Sequence, residues 1–251
     1  MTKAKEYQQA LQATKDIEAY LLSKSGLPGP RSNLELLYVA AAECEESILR
    51  KWLAMHIEEA PENTPQVYLQ CIAVVSLGRF ILQDENESDI KALRRFANDN
   101  RWRIRESVAM ALQMIGKSNT QLLAAITEPW LDDSLHELRA VAAAWAEPVL
   151  LKTDFAQKTA LAFMDKITYR FQQTESDDKE ARRILKKGLE YCWSVVVAAN
   201  IEIGKPFFEK WFFSDAVIQK IMLVNLTKNR LIKADPEWVN MLQNKKGQYQ
   251  P

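Results

Sequence analysis

A chain of 251 residues with 47% apolar and 26% charged side chains is long enough to bury a substantial core, and this composition excludes a collagen-like or disordered polymer. Lysine plus arginine balances aspartate plus glutamate at 33 each, so no overall positive field draws the chain to nucleic acid. The seven glycines are few for sheet turns and bulges, which favours an all-α fold.

In chain order, residues 3 to 23 read as one amphipathic helix, with Tyr7, Leu11, Ile17, Leu21 and Leu22 at helical spacing, and residues 1 to 27 serve as an N-terminal cap. "GLPGPRS" breaks the chain, because Pro28 and Pro30 restrict their own φ and that of the residue before. Ser32 and Glu35 have capping-box spacing and open a helix to about residue 59. Thr64 followed by Pro65 starts another, to about residue 83, and the acidic loop "DENES" follows. Further helices are expected at 89–97, 101–115, 119–128, 134–147, 154–172, 178–199, 205–212, 215–227 and 236–243. Ser118 with Gln121, Ser134 with Glu137, and Asp235 with Pro236 supply three of the starts. Residues 244–251 read as a disordered tail, and no segment reads as a strand.

Charge is uneven along the chain. Residues 35 to 89 hold eleven acidic side chains against three basic, and residues 179 to 251 hold thirteen basic against seven acidic. The longest apolar runs fall short of the ~20 residues of a membrane span, and "MTKAKEYQQALQATKD" lacks a secretory apolar core, so no membrane partner is expected. Cys44, Cys71 and Cys192 are odd in number and sit in apolar contexts, which fits free buried thiols in a reducing cytoplasm.

Short helices joined by polar turns call for a test of repetition. "DNRWRIRESVAMAL", residues 99 to 112, matches "DSLHELRAVAAAWA", residues 133 to 146. Asp99 falls on Asp133, Ile104 on Leu138, Arg105 on Arg139, Val108 on Ala142 and Ala109 on Ala143. With these residues the chain resembles the HEAT-repeat family, whose helix pairs stack into a right-handed α-solenoid. The resemblance implies a single helical-repeat domain over residues 1–251, clearest over 88–150. It also implies that Asp99, Arg105, Asp133 and Arg139 are joints between repeats. Asp177 with Arg183, and Asp89 with Arg95, share the aspartate–arginine spacing without the apolar residue before the arginine.

No chemistry-bearing motif stands out. His56 and His136 are far apart without partners at zinc-ligand spacing, and there is no CxxC, HExxH, GxxxxGK, GxGxxG or GxSxG. No catalytic residue, metal or cofactor is therefore expected. In "PFFEKWFF", Phe208, Trp211 and Phe212 share one helical face and are expected in the core, with Phe207 and Phe213 elsewhere.

Within "NDNRWRIRES", Arg101 and Arg103 have no counterparts in the second repeat. With Arg94, Arg95, Lys186 and Lys187 they are the candidate contacts for a partner or for phosphates, and Trp102 reads as packing over the turn. Two functions follow. The first is a non-enzymatic scaffold that recognises a protein partner on a concave face, as the HEAT resemblance implies. The second is a duplex-DNA-binding protein similar to the bacterial HEAT-like DNA alkylation-repair glycosylases, of whose final repeat residues 217 to 242 are reminiscent. That family's catalytic aspartate and tryptophans have no placed equivalents here, Trp102 with Asp99 and Trp130 with Asp133 being matches of composition alone.

Overall fold

The computed structural model describes residues 2–174 and 178–248, and the protein is all-α, with no strand among the described residues. It divides into two compact units, Met1–Ile115 and Gly116–Pro251.

The first unit contains α1 (Lys3–Ala13), α2 (Ile17–Lys24), α3 (Leu34–Glu43), α4 (Glu46–Leu53), α5 (Pro65–Asp84), α6 (Glu87–Ala97) and most of α7 (Trp102–Ser118). The helix expected over 3–23 is two helices, because Asp16 accepts a hydrogen bond from the Ala19 amide and starts a new one. The helix expected to reach residue 59 likewise breaks at Cys44, and Asn33, not Ser32, caps it by accepting from the Leu36 amide. Gly26 has φ of +77°, and a methyl group there would lie 2.8 Å from the Arg31 carbonyl oxygen, so the "GLPGP" turn requires glycine at this point.

Helix α5 is the core of this unit. It is buried without interruption from Val67 to Gly78 and packs against α2, α3, α4 and α6. By length and composition an 18-residue stretch of this helix, with mean hydropathy 1.4, could cross a membrane although its apolar runs are interrupted, and 78% of that stretch is buried inside the protein. Helix α7 crosses α5 closely at Gly78, where a methyl group would lie 2.8 Å from the Ala111 carbonyl oxygen and 3.3 Å from the Met114 sulfur. Backbone cannot yield as a side chain can. Gly78→Ala is therefore expected to lower the stability of this unit by about 1–3 kcal/mol in urea unfolding; an unchanged or raised midpoint would contradict the close crossing.

Two further contacts fix the unit. Asp89 is buried and receives both terminal nitrogens of Arg50, the second at 2.8 Å, which joins α4 to α6. Arg79 donates to the Ala42 and Cys44 carbonyls at 2.6 and 3.1 Å and so satisfies the C-terminal end of α3.

The second unit contains the end of α7, α8 (Thr120–Thr127), a 3-10 segment Glu128–Asp132, and α9 (Leu135–Trp145). Next come α10 (Asp154–Gln173), α11 (Lys179–Ala199), α12 (Ile201–Phe212), α13 (Ala216–Leu226), α14 (Asn229–Ala234) and α15 (Pro236–Asn244). Ser134 caps α9 by accepting from the Glu137 amide, as expected, but Asn119 takes the place of Ser118 in capping α8. Helix α12 begins at Ile201, four residues before the expected start, with Asn200 as its cap, and carries Pro206 inside it. Phe208, Trp211 and Phe212 are buried, while Phe207 and Phe213 are half-buried.

Two successive helix pairs in this unit share a device. The Thr127 hydroxyl donates to the Leu123 carbonyl at 2.7 Å and accepts the Trp145 indole N–H at 3.2 Å, linking α8 to α9. The Thr168 hydroxyl donates to the Met164 carbonyl at 2.7 Å and accepts the Trp193 indole N–H at 2.9 Å, linking α10 to α11. All four residues are fully or almost fully buried. Each threonine spends its proton on its own helix and offers a lone pair to the next, so the large indole is buried with its donor satisfied.

Candidate binding groove

The arginine-rich segment is bonded both within its own turn and to two loops earlier in the chain. Arg101 precedes the first residue of α7, so helical periodicity does not set its direction. Its guanidinium is 4% exposed and grips both oxygens of Asp99 at 2.9 and 2.7 Å, while its third nitrogen donates to the Ala60 carbonyl at 2.8 Å. The Asp99 carboxylate raises the Arg101 pKa above its ordinary value, against the opposing effect of burial. Arg105 donates to the Asp99 and Asn100 carbonyls at 2.5 and 2.8 Å, and so reaches the main chain of Asp99 while Arg101 takes the carboxylate.

Arg103 is 6% exposed. It donates to the Gly29 carbonyl at 2.7 Å, lies 3.3 Å from Glu62 and makes a long 3.5 Å contact with Asn63, tying the 26–33 and 54–64 loops to α7. Arg101 and Arg103 are therefore buried and not the exposed phosphate contacts expected of them: they donate to the Asp99 carboxylate and to the main-chain carbonyls of Ala60 and Gly29.

The remaining candidates fall on α6 of the first unit and α11 of the second. On α6, Arg94 is half-buried and Arg95 exposed, its guanidinium 5.4 Å from the Phe96 ring, while Lys91 pairs with Glu87 at 2.8 Å. On α11, Lys186 is 3.5 Å from Glu190 and Lys187 is exposed. In the second repeat copy, Asp133 is exposed and its carbonyl accepts from Arg170 at 3.4 Å, and Arg139 is half-buried against Gly188 of α11. Asp177 lies outside the described residues; Arg183 bonds to Glu180 at 2.7 Å. Trp130 is 1% exposed and unable to stack on a base.

Trp102 departs most from expectation. It is 44% exposed, backed by the Arg103 guanidinium at 4.3 Å from its ring centroid, and lines a pocket of about 460 Å³ in the first unit. One wall is α7, where Trp102, Glu106, Met110 and Gln113 recur at spacings that place them on one side of a helix. The other wall is α3, where Leu34 is 52% exposed and Tyr38 37% exposed, with Leu37 below them. Pro30, Arg31 and Ser32 close one end, and Cys71 of α5 contributes to the floor. Burial pushes the Cys71 thiol up to about 12, with a Ser107 hydrogen bond opposing, so at neutral pH it is an uncharged apolar contact and not a nucleophile.

The groove was legible in α3, whose sequence "LELLYVAAAE" is apolar on both faces. Leu36, Leu37, Ala40 and Ala41 are consumed by the core, which leaves Leu34 and Tyr38 outside it. Among the described residues no three His, Cys, Asp or Glu side chains gather where they could hold a metal ion. What the fold and site define is an all-α protein with an open, apolar, aromatic-walled groove. Comparison with protein families, with curated proteins and with solved structures finds no match.

Proposed function

We propose that this chain is a non-enzymatic binding scaffold of HEAT-like helix pairs, stacked as a right-handed α-solenoid, that holds an apolar segment of a protein partner in the groove between α3 and α7. The observation that carries the reading is the exposure of Leu34, Tyr38 and Trp102 around one pocket, since single surface apolar residues are ordinary but a walled cluster marks a contact site. The repeat architecture is supported by the matched segments at 99–112 and 133–146. Their aligned core positions, Ile104 with Leu138 and Val108 with Ala142, are all fully buried. The two Trp–Thr links add a second recurring element.

Trp102→Ala tests the function. The variant should keep its helical circular dichroism and lose affinity for any stoichiometric protein partner by about 30-fold or more, the effect of removing an aromatic hot spot. A partner bound equally by wild type and variant sinks the reading. Duplex DNA is the control ligand: binding that weakens as salt rises and is insensitive to Trp102 would favour the DNA-binding alternative.

A further inference from the structure

We draw no further inference here: the strongest candidate, the open apolar groove between α3 and α7, carries nothing beyond the reading above, because nothing in the structure shows what covers it.

Discussion

Replacing Arg101 by methionine should destabilise the first unit by about 3–5 kcal/mol, the cost of stranding a charge whose buried partner is removed. The side chain is 4% exposed, and its loss takes the guanidinium donors from the Ala60 carbonyl and from the Asp99 carboxylate, which keeps the Arg101 amide at 2.8 Å. The measurement is urea unfolding of the intact protein, with Arg95→Met as the exposed comparison, for which a change within about 0.5 kcal/mol is expected. Adding Asp99→Asn to Arg101→Met should restore part of the loss, since removing both members of a pair costs less than removing one. Equal midpoints for Arg101→Met and Arg95→Met would show that Arg101 is an idle surface charge after all.

The second unit should respond as strongly to Asn225→Leu. Asn225 is fully buried on α13, and its side chain makes three hydrogen bonds. Its oxygen accepts the Ser194 amide at 2.8 Å, and its nitrogen donates to the Leu189 and Ile221 carbonyls at 2.9 Å each. Two of the three cross to α11, so the residue is a polar rivet between the two packed helices. Leucine of similar size preserves the packing and removes the bonds, and at 1–3 kcal/mol for each stranded buried group a loss of about 3 kcal/mol is expected. A loss under about 1 kcal/mol would mean that the backbone of α11 satisfies those groups by itself.

Local signals carried the fold far. Ser134 with Glu137 and Asp235 with Pro236 mark helix starts because capping acts over three or four residues, which is the range a sequence displays, whereas α5 starts at Pro65 after a Thr64 whose side chain makes no capping bond. The break at Asp16 was hidden because its neighbours keep helical periodicity across it, and the break at Cys44 contains neither glycine nor proline. The start expected at residue 205 lies inside α12, since Asn200 caps the helix upstream by accepting from the Ile203 amide at 3.5 Å. Helix α14 was missed outright: six residues are too few to display a period.

The site was less legible for a reason of another kind. In "NDNRWRIRES" Arg101 and Arg103 were read as candidate contacts because they lacked repeat counterparts, but besides the nearby Asp99 carboxylate that holds Arg101 their ligands are the carbonyls of Ala60 and Gly29, tens of residues away and without any signature in side-chain identity. Trp102 was assigned to packing for the converse reason, as tryptophan usually is. The Trp–Thr links escaped because Thr127 and Trp145 are 18 apart while Thr168 and Trp193 are 25 apart, so no fixed offset aligns them.

Helix α5 also constrains the birth of the protein. Its buried run is complete once residue 84 has been made, yet α7, which closes over it at Gly78, includes Ala111. At synthesis rates of ~5–20 residues per second, the interval between emergence of Gly78 and of Ala111 is roughly 2–7 s. Throughout it, a stretch apolar enough for a bilayer lacks its final cover. During those seconds a nascent chain is open to chaperones and to mistaken membrane insertion, and α2, α3 and α4, already synthesised, are its own means of shielding it.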